Sequence, residues 1–192
     1  MVSNLRYSCS ISQMPDFYEQ LARYQTSCPE EYEMLEATRA FVRCYPNCFD
    51  RSLAIGHITG SAWILDPDEN AVLLTHHRKL NRWLQLGGHC DGDSNVLRVA
   101  MREAHEESGL LEIEPLSDSI FDVDVHLIPD WKHEPAHFHY DVRYLLRASK
   151  RELFRISEES RELAWKSLDE VAAGNEPSLV RMVRKTPGWR AL

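Results

Sequence analysis

The stretch LGGHCDGDSNVLRVAMREAHEESGL, residues 86–110, constrains this chain more than any other. Its second half has helical periodicity, with Leu97, Ala100, Met101 and Ala104 on an apolar stripe and Ser94 or Asn95 placed to cap the start. Gly109 supplies the C-terminal stop. Into the last turns crowd Glu103, Glu106 and Glu107, against two physical effects. Like charges three or four positions apart on a helix repel by about 0.2 to 0.5 kcal/mol per pair, and the carbonyl end of a helix favours cations over anions. Some partner must offset that repulsion. Three converging carboxylates make a hard, oxygen-rich cluster, the donor set that magnesium or manganese prefers. Arg102, four residues before Glu106, is placed to hold that carboxylate in one orientation. The paired Gly87 and Gly88 let a backbone loop approach an ion or a phosphate closely.

A one-sided apolar helix needs a surface to dock on, and the flanking segments read as strands. LAIGHITGSAWIL (53–65) and AVLLTHH (71–77) flank DPDEN, a turn cluster of the kind that joins antiparallel strands. FDVDVHL (121–127) alternates, with Phe121, Val123, Val125 and Leu127 on one face and Asp122, Asp124 and His126 on the other, as a half-buried strand does. HFHYDVRYLL (137–146) puts His137, His139, Asp141 and Arg143 on one face and Phe138, Tyr140, Val142 and Tyr144 on the other. ELAWKSL (162–168) is a further strand, and Ser167 with Glu170 has capping-box spacing for a short helix. Upstream, Phe17, Leu21 and Tyr24, then Leu35, Arg39 and Val42, repeat at helical spacing and predict two helices within residues 15–45. Ser27 and Glu30 have capping-box spacing around Pro29, which suits a first helical turn. Strands around one well-marked helix, with helices at both ends, give an α/β (α+β) architecture.

Composition narrows the function. A net charge of −8 without a basic run argues against binding a nucleic acid polymer, since phosphate neutralisation needs basic patches. Five cysteines, Cys9, Cys28, Cys44, Cys48 and Cys90, lack paired CxxC spacing and point to neither a disulfide framework nor a zinc ribbon. No window is apolar enough for a signal peptide or a membrane span. A soluble, cytoplasmic protein with no membrane partner is the expectation.

Residues 88–110 resemble the signature of the Nudix hydrolases, a glycine, five residues, a glutamate, seven residues, then R-E-U-x-E-E-x-G-U, where U is bulky and aliphatic. Gly88, Arg102, Glu103, Ala104, Glu106, Glu107, Gly109 and Leu110 stand in register; Ser94, with Asp93 beside it, takes the place of the first glutamate. The likeness extends more weakly over residues 53–175. It implies a Nudix-type mixed β-sheet sandwiched between helices (residues 51–192); the N-terminal helical extension (1–50), read from periodicity alone, lies outside the resemblance and is open to a role in packing, a lid or a homodimer. It also implies hydrolysis of a small-molecule diphosphate with Mg2+ or Mn2+. By position, Glu103, Glu106, Glu107 and the Gly87 carbonyl would be metal ligands, Arg102 the orienting residue, and Glu106 or Glu107 the general base. Candidate substrate contacts are Arg78, Lys79 and Arg82 ahead of the glycine loop, His89 within it, and His137, His139 and Asp141 on the polar strand face. His133, Glu134, Trp131 and the pair Glu158 and Glu159 are further candidates near the site. Two alternatives remain: a Nudix module that binds without turnover because of Ser94, and an isopentenyl-diphosphate-isomerase-like enzyme, suggested by His89 and Cys90 although Gly87 stands where that family places its thiol.

Overall fold

A computed structural model describes residues 16–78, 80–130, 135–149, 154 and 160–188. The elements run α1 (Phe17–Arg23), α2 (Pro29–Cys44), β1 (Gly56–Leu65), β2 (Ala71–His77), β3 (Arg82–Leu84), β4 (Leu86–His89), α3 (Val96–Ser108), β5 (Ile113–Pro115), β6 (Asp122–Ile128), β7 (His137–Ala148), β8 (Ser160–Ser167), α4 (Leu168–Ala172) and α5 (Pro177–Lys185). This is the mixed sheet between helices expected from the sequence.

The DPDEN turn forms because the buried Asp66 carboxylate accepts from the Asn70 and Ala71 amides at 2.9 and 2.8 Å, an Asx-type closure. The hairpin it closes is short, with Leu65 opposite Val72, and the strands then part. β2 goes on to pair with β3 and β8, while β1 lies antiparallel to β4 and parallel to β7 along its whole length. β7 carries β6 and β5 on its other edge.

Two apolar layers result. Ile58, Ala62 and Ile64 of β1, with Val142, Tyr144 and Leu146 of β7, pack on Val96, Leu97, Val99, Ala100 and Ala104 of α3 and on the N-terminal helices. Gly60 permits this contact, since a Cβ there would stand 2.9 Å from the Val96 carbonyl oxygen. On the opposite face Trp63, Leu65, Val72 and Leu74 pack on α4 and α5 through Leu168, Leu179, Met182 and Val183. The Trp63 indole donates to Thr186 at 3.0 Å, which satisfies its buried N–H.

Local signals at helix ends were mostly obeyed. Asn95 caps α3 by accepting from the Arg98 amide at 2.9 Å, and Gly109 ends it with φ 71°. Ser167 accepts from the Glu170 amide at the start of α4. At α2, however, the capping residue is Cys28, not Ser27, because Pro29 takes the first helical position; no side chain caps it. Arg39 leaves its apolar repeat to donate to the carbonyls of Leu21, Ala22 and Tyr24, which fastens α2 to the end of α1.

Candidate active site

Strand alternation builds the floor of the site. His57, Thr59 and Ser61 of β1 lie opposite His139, Asp141 and Arg143 of β7, and β6 adds His126, Asp124 and Asp122 against the same three. Apart from the buried Asp122, these rows share one cleft of about 1200 Å³ with Gly87–His89 of β4 and with Glu103, Glu106 and Glu107 of α3. Arg78, Arg82 and Arg181 lie on its walls. The polar face of β6 is therefore not a solvent face: at the start of the strand Asp122 and Val123, on opposite faces, are both 0% exposed, and exposure rises only toward Leu127, 55% exposed.

That inward acidity is balanced by buried cations. Arg143, 2% exposed, donates to Asp141 at 2.8 Å, Asp122 at 3.0 Å and Asp124 at 3.1 Å. Arg181 of α5 bonds Asp122 and Asp124, and Lys185 bonds Asp122 and Glu31. Burial alone would raise the carboxyl pKa values of Asp122 and Asp124. Arg181, Arg143 and Lys185 around the first, and Arg143, His126 and Arg181 around the second, outweigh it and hold both below the usual carboxylate range. The buried Glu31 carboxylate also accepts from the Val123 amide at 3.1 Å and from the hydroxyls of Tyr24 and Thr26, so α2 covers the outer edge of β6.

The acidic end of α3 lies directly against Gly87 and Gly88, which form not the expected loop but strand β4, paired with Ser61 and Gly60 of β1. A Cβ on Gly88 would stand 2.7 Å from the Glu103 carboxyl carbon, and one on Gly87 would meet the Ser61 backbone at 2.7 Å. Glu107 accepts from the Gly87 amide at 3.1 Å. Arg102 donates to the His89 carbonyl at 2.8 Å and to Glu103 at 2.7 Å. This corrects the expected Arg102–Glu106 pairing: the His89 carbonyl draws the guanidinium back toward β4, within reach of Glu103. Glu106 is exposed at the cleft. Backbone and arginine thus fix two carboxylates in a cradle that no side chain on Gly88 could share, and this oxygen-rich arrangement fits a hard divalent cation.

Of the other sequence candidates, Arg82 sits on the rim with Glu176 at 3.4 Å. Asp141 is 2% exposed and accepts from Thr59, Ser61, Gln85 and Arg143, so its carboxylate braces the floor. His89, His137 and His139 line the cleft together. Ser94 is exposed in the loop before α3 and is not among the cleft-lining residues; Asp93 pairs with Arg98 instead. Cys90 is 1% exposed within the core, and burial pushes its thiol pKa far up, which disfavours a thiolate nucleophile. Lys79, Trp131, His133, Glu134, Glu158 and Glu159, like Cys9, lie outside the described residues.

Sequence reasoning missed His57, Arg181 and Lys185 as site components, and it placed Arg143 on the polar strand face without its three carboxylate partners. The first had a readable signal: His57, Thr59 and Ser61 recur every second residue in an otherwise apolar strand. Arg181 and Lys185 are spaced i, i+4 on α5, but nothing local says that they face a buried acid.

Comparisons with known proteins agree with this fold. A family profile for the NUDIX domain matches residues 57–185. The chain is similar in fold to a MutT NUDIX hydrolase from Burkholderia pseudomallei, with a TM-score of 0.51 at 20% identity over 68% of this chain and 97% of that one. It is similar also to an Ap4A hydrolase from C. elegans, with a TM-score of 0.50 at 15% identity over 66% of this chain and 93% of that one. A search of curated proteins finds no match. No helix among the described residues is long and apolar enough to cross a membrane.

Proposed function

The chain belongs to the Nudix family, and from that membership we propose that it hydrolyses a phosphoanhydride bond in a small diphosphate, either a nucleoside diphosphate linked to another group or a related compound. The observation that carries this reading is the cradle in which Glu103 and Glu107 are pinned beneath Gly87 and Gly88. Mg2+ or Mn2+, held by Glu103, Glu106, Glu107 and the Gly87 carbonyl, would neutralise charge on phosphate oxygens and lower the pKa of a bound water. Arg102 fixes the orientation of Glu103, and the Gly87 amide that of Glu107. Glu106 or Glu107 takes the proton of the attacking water, a role worth about 10² to 10⁴ in rate. Arg78 and Arg82 on the rim attract the anionic substrate, while His89, His137, His139 and Asp141 bound the opposite part of the cleft.

A second reading is a module that binds a diphosphate without cleaving it, since Ser94 departs from the family pattern. The exposed position of Ser94 favours catalysis, because no group has been removed from among the carboxylates. Nucleotide sugars, dinucleoside polyphosphates, ADP-ribose and nucleoside triphosphates, screened with magnesium, test the two. Cleavage of at least one compound by the wild type, lost in Glu107→Gln, is the expected result. Tight binding of a panel member with no turnover would support the binding module and refute the hydrolase.

A further inference from the structure

Apart from the carboxylates, the cleft gathers His57, His89, His126, His137 and His139, with ring centroids 4.8 Å apart for His57 and His139 and 5.0 Å for His57 and His137. Imidazoles this close cannot all carry charge.

Three details of geometry give the cluster a direction. His57 is 2% exposed, yet neither ring nitrogen has a hydrogen-bond partner; the nearby Leu53 backbone forms no well-aligned bond. Buried polar nitrogens are ordinarily satisfied, so this ring lacks a partner the chain does not supply. Next, Nδ1 of His137 donates to the Pro135 carbonyl at 2.8 Å, which leaves the Nε2 lone pair pointing into the cluster. That Nε2 stands 3.3 Å from Nε2 of His139. Two nitrogens bound to one tetrahedral ion at the usual zinc–nitrogen distance are separated by about 3.3 Å. Finally, one nitrogen from each of His57, His137 and His139 can be chosen so that all lie within 4.8 Å of one another.

We propose that His57, His137 and His139 form a binding site for a borderline transition-metal ion of the zinc type, separate from the carboxylate site on α3. The donor set is entirely imidazole nitrogen, which suits zinc or cobalt and not magnesium. Three histidines leave a fourth position open to the cleft, where an anionic oxygen of a ligand or a water can bind. The competing explanation is a plain imidazole pair, with His139 Nε2–H donating to His137 Nε2 and no ion present. The proposal does not depend on the hydrolase reading, because its test reads metal binding alone.

The test uses full-length, metal-stripped protein titrated with cobalt(II) in excess magnesium, which occupies the carboxylates. About one equivalent is expected to produce the intense visible bands of a tetrahedral cobalt centre, removed by equimolar zinc(II). His137→Ala and His139→Ala should each weaken cobalt binding at least about tenfold and collapse those bands, with Glu107→Gln leaving them unchanged. His137 lies at the cleft edge and is half-buried, so its variant should retain the wild-type circular dichroism and decides the matter even if His139→Ala unfolds. Weak octahedral bands only, unchanged binding in His137→Ala, or loss confined to Glu107→Gln would each overturn the proposal.

Discussion

Replacing Arg143 with methionine tests whether the cleft floor is held by charge or merely filled by bulk. Methionine occupies much of the same volume, so the change removes the guanidinium and leaves Asp122, Asp124 and Asp141 in place. Breaking a buried pair by deleting one partner costs about 3 to 5 kcal/mol. Asp122 and Asp124 keep Arg181, Asp122 also keeps Lys185, and Asp141 keeps Thr59, Ser61 and Gln85, which argues for the lower end. At about 3 kcal/mol, Tm should fall by about 6 to 12 °C. The pH dependence is the sharper readout. Because Asp122 and Asp124 have lowered carboxyl pKa values in the fold, their pairing stabilises it fully above the unfolded value of about 3.9. That contribution is lost as pH falls through the lowered folded values. In Arg143→Met the carboxyls are less well paired and protonate at higher pH, so the deficit relative to wild type should narrow by about half from pH 7 to pH 4. Urea denaturation at both pH values measures it. A deficit below about 1 kcal/mol at pH 7 would show that the network contributes little; an equal deficit at both pH values would show that packing, not charge, was lost.

Three further outcomes are expected. Gly88→Ala drives a methyl into the Glu103 carboxylate, so it should abolish magnesium-dependent turnover while circular dichroism stays native; wild-type activity in that variant would refute the cradle. Glu31→Gln weakens the acceptor shared by Lys185, Tyr24 and the Val123 amide and should cost about 2 to 3 kcal/mol in denaturant unfolding, whereas a change within error would mean that α2 does not brace the β6 edge. Cys90→Ala should leave turnover within about twofold of wild type, as a buried core thiol requires; loss of activity with an intact fold would revive the isomerase-like reading.

The helix of residues 96–108 was legible in full, because its cap, its stripe and its terminal glycine are local signals that tertiary structure had no reason to override. The five longer strands, β1, β2, β6, β7 and β8, were legible too; β3 and β5 are three residues long and too short to show a period, and the paired glycines made β4 read as a loop. What alternation cannot say is which face meets solvent. Asp122, Asp124 and His126 have the pattern of an outer face, but the charges that allow them inside come from Arg143 on another strand and from Arg181 and Lys185 near the end of the chain. Such pairing is set by topology and leaves no mark near residue 122. Arg102 illustrates a smaller version: its spacing to Glu106 is right for a helix pair, yet a carbonyl on β4 redirects it to Glu103. The Ser27 capping box has the right letters one position too early, since Pro29 sets where α2 begins.

If the crowded glutamates of α3 exist for a divalent cation, magnesium must change the thermal stability of the fold. Without metal, Glu106→Gln should be slightly more stable than wild type, because it relieves repulsion of about 0.2 to 0.5 kcal/mol per pair. With magnesium at a hundred times its dissociation constant, wild type should gain about 2.7 kcal/mol, and the order of the two proteins should reverse. If magnesium moves neither midpoint, or raises both equally, the carboxylates are not a cation site.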